Sequence, residues 1–130
     1  MAEEHRDILR RVNRLSKEAR TGGSRRTTAA LLSELESKLK GHFGEEENTL
    51  YRPLGTVLGE DAPIVGMIEE HRMIQRSLVR VRAILWARKG HKTHPSELQQ
   101  VCDSLDELIR SHIDREEAVL FWLAATRRAI

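Results

Sequence analysis

The sequence has few of the residues that mark secreted, membrane-spanning or β-rich proteins. Cys102 is the one cysteine among 130 residues, so an internal disulfide is excluded and a reducing compartment is expected. Aromatic residues make up only 4% and charged residues 32%, which favours helix over sheet. No apolar run is long enough to span a membrane, and the first residues lack the apolar core of a signal peptide. We therefore predict a cytoplasmic protein with no membrane partner.

Charge and length narrow the class further. The formal net charge is +2, and the arginines are scattered along helical patterns without interleaved aromatic residues. Such arginines are typical of solvated helix faces, so we predict no nucleic-acid partner. The length suits a single domain covering residues 1–130. Because Cys102 continues an apolar pattern, we expect it to be a small buried residue and not a redox centre.

Apolar residues recur at spacings of three and four in four long segments. They predict helices over residues 2–20, from the turn at 21–24 to about residue 50, over 62–89 and over 95–126. Glycines in the first and third connections predict short turns. The expected fold is all-α, an up-down-up-down antiparallel four-helix bundle built from two repeated helical hairpins.

One short motif occurs twice. Residues 39–51 read LKGHFGEEENTLY and residues 109–121 read IRSHIDREEAVLF. Each contains a histidine followed four residues later by a glutamate, which places both side chains on one helix face. The pairs are His42 with Glu46 and His112 with Glu116.

Each pair has an upstream histidine in a second repeated motif. Residues 4–8 read EHRDI and residues 70–74 read EHRMI, which adds His5 and His71. From the rise of an α-helix, the four histidines lie roughly 26 to 30 Å from the turn of their hairpin, within about one helical turn of one level. Each also continues the apolar stripe of its helix, so all four are expected to point inward.

A metal site explains this arrangement better than hydrogen bonding alone. An unpaired buried carboxylate costs several kcal/mol or takes up a proton. Two carboxylates facing four imidazoles need positive charge between them, which metal ions supply. Four nitrogens and two bridging carboxylates suit two borderline ions such as iron, whereas one tetrahedral zinc would leave ligands over. A metal-free bundle with a buried polar network remains the alternative.

On these residues the chain resembles the hemerythrin-like, or HHE cation-binding, domains. That family holds two non-haem irons in a four-helix bundle with the pattern H…HxxxE…H…HxxxE. The resemblance implies that His5 and His42 hold one iron, and that His71 and His112 hold the other. It further implies that Glu46 and Glu116 bridge the two irons together with an oxo or hydroxo group. Manganese is the alternative metal.

Two positions depart from the oxygen-carrying hemerythrins. Those proteins have a further histidine one turn after the third-helix histidine, where this chain has Gln75, and they close with HxxxxD instead of HxxxE. These departures argue against simple reversible oxygen carriage. They resemble the branch linked to iron or oxygen sensing, to nitric oxide and peroxide chemistry, and to iron–sulfur repair.

Two more residues are candidates for a direct role in chemistry. Tyr51, the only tyrosine, is either a phenolate ligand or redox-active side chain, or an aromatic plug matched by Phe121 in the second repeat. Gln75 either donates a hydrogen bond toward a metal-bound group or lies at the edge of the stripe. His91 and His94 are expected to be exposed loop residues far from the site.

Helical geometry also predicts positions for residues beside the proposed ligands and at helix ends. Helical geometry predicts that Glu45, Glu47 and Glu117 point away from the site. Trp86 and Trp122 are expected to pack near helix ends, which is compatible with a monomer or a homodimer.

Three functions fit the sequence. An enzyme would turn over peroxide or nitric oxide, in a peroxidase-like or catalase-like reaction. A sensing or iron-binding module would bind iron, dioxygen or another small diatomic ligand without turnover. A structural bundle would bind no metal. The absence of a second domain mildly favours a stand-alone reactive site.

Overall fold

A computed structural model describes residues 2–22, 24–53, 62–86 and 95–128. It contains four long helices, α1 (Ala2–Thr21), α2 (Arg25–Glu46), α3 (Ala62–Trp86) and α4 (Pro95–Arg128). A π-helical segment, Glu47–Tyr51, directly continues α2. No strand occurs within these ranges, so the predicted all-α bundle is confirmed. The up-and-down order and the repeated hairpins stay predictions.

The turn between α1 and α2 uses the predicted glycine signal. Gly22 has a φ of 69°, in the left-handed region that glycine enters without a steric cost. Ser24 then caps α2, because its hydroxyl oxygen accepts a hydrogen bond from the Thr27 backbone N–H at 3.1 Å. Local sequence thus ends one helix and begins the next within three residues.

The four helices enclose one apolar core. α1 packs against α2 and α4, and α3 packs against the same two helices. The core follows the predicted stripes, with Leu15, Leu35, Val81, Cys102 and Leu105 among its most buried members. Full burial of one leucine stabilises the fold by about 1.5–3 kcal/mol. Burial also raises the pKa of the Cys102 thiol to about 12, which agrees with the prediction of an unreactive buried cysteine.

Three large aromatic side chains lie outside this core. Trp86 is 53% exposed, Trp122 58% and Phe121 78%. The two tryptophans are therefore less buried than expected, although the Arg25 guanidinium lies 5.5 Å from the centre of the Trp86 ring. The choice between monomer and homodimer stays a prediction. In the described part of the chain, no helix combines the length and the apolar character needed to cross a membrane.

Candidate metal centre

Six polar side chains lie buried together at one level of the bundle. Each is between 1% and 4% exposed, although all six are ionisable. They come from the start of α1, the end of α2, the first half of α3 and the second half of α4. The six are the residues that the sequence analysis predicted as metal ligands: His5, His42, Glu46, His71, His112 and Glu116.

The six residues form two overlapping groups of potential ligands. One contains His5 and His42, the other contains His71 and His112, and both contain Glu46 and Glu116. Within each group, one ligand atom from every residue lies within 4.8 Å of all the others. Two ions bound here would therefore share both carboxylates. The pairing is the one that the sequence resemblance implied.

The first group, contributed mainly by α1 and α2, joins imidazoles to carboxylates. His5 Nε2 lies 2.9 Å from Glu116 Oε1, and His42 Nε2 contacts Glu46 Oε1. The two imidazole rings meet edge to face, with their centroids 5.1 Å apart. Their Nε2 atoms thus point at the same carboxylates that the second group uses.

The second group, contributed mainly by α3 and α4, brings the Nε2 atoms of two imidazoles together, with the rings meeting edge to face. His71 Nε2 lies 3.0 Å from His112 Nε2, and His112 Nε2 lies 3.2 Å from Glu116 Oε2. Two nitrogens that each bind one metal ion at about 2.1 Å and at a right angle lie about 3 Å apart. The spacing of these nitrogens therefore suits a shared metal ion as well as it suits a hydrogen bond.

Tyr51 joins the cluster from the π-helical segment. Its hydroxyl donates to Glu46 Oε2 at 2.9 Å and approaches Glu116 Oε2 still more closely. Because the hydroxyl has one proton, it donates to one carboxylate at a time. Burial and the two carboxylates raise the pKa of Tyr51 above its ordinary value. Phe121, its counterpart in the repeat, is mostly exposed, so the two aromatic residues have different environments.

The π-helical segment explains why Tyr51 reaches the carboxylates. In an α-helix, residues five apart lie about 140° apart around the axis. In the wider π-helical turn, each backbone hydrogen bond joins residues that are five apart. The side chains of residues i and i+5 therefore lie on nearly the same side of the helix axis. The Arg52 backbone N–H accordingly donates to the Glu47 carbonyl. Tyr51 therefore faces the same way as Glu46.

The two shared carboxylates have opposite pKa shifts. Burial and the nearby Glu116 raise the pKa of Glu46 to about 6. Burial opposes ionisation of Glu116 too, but hydrogen bonds from His112 and His5 lower its pKa below the ordinary value. Below about pH 6 the pair therefore holds one proton on Glu46 beside an ionised Glu116. A cation between the two carboxylates would stabilise the ionised form of both and displace that proton where it is bound.

The histidines of the two groups also differ. Burial and the neighbouring His112 lower the pKa of His71 to about 3. Burial likewise disfavours charge on His5 and His42, but the carboxylates of Glu116 and Glu46, which lie against His5 and His42 respectively, outweigh it and raise both pKa values. His71 is thus a neutral imidazole at pH 7, which is the form that binds metal.

Three histidines place their second ring nitrogen against a carboxylate outside the cluster. His5 Nδ1 lies 3.0 Å from Glu117, His42 Nδ1 lies 3.1 Å from Glu4, and His71 Nδ1 lies 3.3 Å from Glu47. Such contacts fix which nitrogen carries the proton and leave Nε2 free for the metal.

The prediction that Glu47 and Glu117 point away from the site was wrong. Glu47 is the first residue of the π-helical segment. The long side chain of Glu117 extends to the neighbouring helix α1, where it contacts His5. The sequence does contain a signal for these acceptors. A glutamate precedes each lone histidine, in EHRDI and EHRMI, and a glutamate follows each ligand glutamate.

His112 is the exception among the four histidines. Its Nδ1 lies 3.8 Å from Glu70 Oε2, too far for a hydrogen bond, and it is buried without a hydrogen-bond partner. Arg115 instead holds Glu70, because its Nε donates to the two carboxylate oxygens at 3.0 and 2.8 Å.

Phe43 is a neighbour of the cluster that sequence reasoning missed. Its ring stacks on His71 with centroids 3.8 Å apart and meets His112 edge to face at 5.8 Å. It covers the second group with an apolar surface. The signal was available, since each paired histidine is followed by a large apolar residue, Phe43 or Ile113, and both are buried.

The structure does not bring Gln75 to the cluster. Gln75 is exposed and, with Ser33, Leu78 and the outer side of Phe43, lines a groove of about 420 Å³ between α2 and α3. The predicted loop residues His91 and His94 lie outside the described residues.

The donor set fits a bound metal. Glu46 Oε1 is buried and has no hydrogen bond, although it contacts His42 Nε2. Two carboxylates and four imidazoles, nearly free of solvent, provide six donors of the nitrogen and oxygen type that divalent and trivalent transition metals prefer. The buried histidine–glutamate cluster therefore fits a metal-binding site.

Comparison with known proteins gives one match. The model of the family described as Hemerythrin HHE cation binding domain matches residues 1–124. Neither a curated protein nor a solved structure matches the chain significantly.

Proposed function

Because the chain belongs to the hemerythrin HHE cation-binding family, we propose that its buried cluster binds two iron ions that react with dioxygen, peroxide or nitric oxide. One observation carries the proposal. Two groups of four buried donors overlap in the same two glutamates, which is the arrangement that a carboxylate-bridged pair of metals requires.

Each residue has a defined part in this proposal. His5 and His42 would hold one iron, His71 and His112 the other, and Glu46 and Glu116 both. Imidazoles and carboxylates together suit iron, whereas a site for manganese is usually richer in oxygen donors. The iron would supply redox chemistry at a coordination position that the protein leaves open.

The protein contributes burial, orientation and a proton. The cluster is nearly closed to water, and Phe43 covers its α3–α4 side. Tyr51 places its hydroxyl between the two shared carboxylates, where it can donate a hydrogen bond or coordinate iron as a phenolate. Gln75, on the outer surface, has no direct part.

The first test measures metal content. The protein would be purified aerobically without chelator, its bound metals counted and its visible spectrum recorded. About two irons per chain with oxo-to-iron bands in the near ultraviolet are expected. Folded protein that stays metal-free after anaerobic addition of ferrous iron would contradict the proposal and leave a structural bundle.

Two further measurements define the chemistry. A broad absorption band at longer wavelength that disappears in Tyr51→Phe would assign a phenolate ligand, with Phe121→Leu as the matched control because Phe121 is exposed. Catalytic turnover of peroxide or nitric oxide by the iron-loaded protein would establish an enzyme. Stoichiometric binding without turnover would establish a sensing or iron-binding module.

A further inference from the structure

Outside the six ligands lies a second set of four glutamates, one for each histidine. Glu4 on α1 contacts His42 on α2, and Glu47 at the end of α2 contacts His71 on α3. Glu70 on α3 faces His112 on α4, and Glu117 on α4 contacts His5 on α1. The four contacts run from each helix to the next and close on the first. We call these four glutamates the outer ring.

The spacing of the outer ring from the ligands is regular. On α1 and α3 the outer glutamate comes one residue before the ligand histidine, as in Glu4 before His5. On the end of α2 and on α4 it comes one residue after the ligand glutamate, as in Glu117 after Glu116. For neighbouring helices of opposite direction, these two offsets turn the same way around the bundle.

One link of the outer ring is open. Glu70 is 3.8 Å from His112 Nδ1, whereas the other three contacts are 3.0 to 3.3 Å. Arg115, one turn from His112 on the same side of α4, binds Glu70 through its Nε and a second guanidinium nitrogen. The carboxylate is therefore engaged by Arg115, and His112 Nδ1 is left buried without a partner.

We propose that the outer ring positions the four ligand histidines for metal binding and that Arg115, by holding Glu70, makes His112 the most loosely oriented of them. The proposal rests on the proposed function, since it concerns how tightly metal is held. A carboxylate that accepts from Nδ1–H fixes the tautomer, orients the ring and increases the basicity of Nε2. His112 lacks this support while Arg115 occupies Glu70.

The first experiment measures metal affinity in matched variants. Wild type and variants would be titrated anaerobically with Fe²⁺ against a chromogenic ferrous chelator, with folding checked by circular dichroism. Glu4→Gln, Glu47→Gln and Glu117→Gln should each weaken binding about 10–100-fold. Glu3→Gln and Glu45→Gln, which change exposed glutamates next to residues of the site, should leave it unchanged. Glu70→Gln should change it less than about threefold, because that link is already open.

The second experiment examines the open link directly. Protein labelled with ¹⁵N at histidine and loaded with diamagnetic Zn²⁺ would be studied by NMR for ring N–H signals that exchange slowly with water. Three protected Nδ1–H signals are expected in the wild type. Arg115→Gln should release Glu70 and add a fourth signal, which Arg110→Gln, a change at an exposed residue of the same helix, should not.

The outcomes separate this proposal from the proposed function. A wild-type protein that binds neither Fe²⁺ nor Zn²⁺ would overturn both. A wild type that binds two ions, with outer-ring variants as tight as Glu3→Gln, would overturn the outer ring alone. Three protected signals in Arg115→Gln would overturn the role of Arg115.

Discussion

The first and second groups of the candidate metal centre, called its two halves below, contain the same residue types in different electrostatic environments. In the first half, His5 and His42 point their Nε2 atoms at carboxylates, which raises their pKa values despite burial. In the second half, His71 faces another imidazole and the ring of Phe43, and burial lowers its pKa to about 3. A repeated motif therefore does not produce a symmetric site, because the neighbours of each copy differ.

This difference affects how each half accepts a metal ion. A metal ion entering the first half competes with protons that the carboxylates help to hold. The second half already presents a neutral His71 at pH 7, with the ring of Phe43 stacked on it and Glu47 at its Nδ1. The first half thus holds protons on its histidines more strongly, and the second half has the more readily available nitrogen.

The largest effect on metal binding is expected from removing a carboxylate that both halves share. Glu116→Gln replaces a carboxylate that contacts both His5 and His112 with a neutral amide, a much weaker metal ligand. We expect loss of both metal ions, measured as metals per chain after purification, while the helical circular dichroism is retained. Glu107→Gln, an exposed change on the same helix, is the control. Retention of two ions by Glu116→Gln would show that the carboxylate is not shared.

Removing one histidine from either half should abolish metal binding in that half and leave the other half able to bind its ion. His42→Gln should lose the ion of the first half and His112→Gln that of the second, so each is expected to bind about one ion per chain. Anaerobic metal titration would count the remaining site. If either variant lost both ions, the two sites would fill only together.

The acid dependence of stability should sharpen the comparison. The folded pKa of His71, about 3, is below the ordinary value of 6.5, so its contribution to stability is present above pH 6.5 and lost as pH falls toward 3. The raised pKa of His42 has the opposite sign: its contribution is present below pH 6.5 and lost as pH rises through the folded value.

Urea unfolding of chelator-treated protein between pH 4 and 8 would test these signs. His71→Gln should lose less stability on acidification than wild type, by up to about 1.4 kcal/mol per pH unit. His42→Gln should lose more. Identical pH slopes in both variants would contradict the difference between the halves.

The smallest effect is expected at Tyr51, which contacts both shared carboxylates. Tyr51→Phe removes one buried hydroxyl that donates to Glu46 or Glu116, and should cost about 1.5–3 kcal/mol of metal-free stability. Two ions per chain should still bind, since the six proposed ligands remain. Denaturant unfolding and metal counts on the same preparation would measure both effects, and a loss of one ion would make Tyr51 an indispensable ligand.

Helical periodicity predicted the level and the inward direction of the proposed ligand residues. His5 and Ile8 are three apart and His42 and Glu46 four apart, and such spacings leave little freedom in which face they share. All four are buried in the structure. The burial of residues within about one helical turn on either side of each proposed ligand could therefore be predicted from the sequence.

Side chains at the boundary between the buried face and the exposed face of a helix were not predictable in the same way. Glu117 is 54% exposed and still reaches His5, because a glutamate side chain spans the distance from the edge of one helix to the next. The position of Glu47 depends on a π-helical turn, which the helix propensities of the residues in the segment ENTLY do not predict. The engagement of Glu70 by Arg115 depends on which of two partners its carboxylate reaches, and periodicity contains no information on that choice.

The direction of the outer ring bears on how the chain selects the hand of its bundle. Four helices joined in sequence can turn clockwise or anticlockwise around a common axis with the same apolar stripes inward. In the opposite hand α2 and α4 exchange places. Because both carry the same motif, Glu4 would face His112 instead of His42, and each imidazole would still have an outer glutamate beside it. The outer ring therefore fits either hand, and the contacts that select one hand lie where the two repeats differ, as at Arg115, whose place in the first repeat is taken by Glu45.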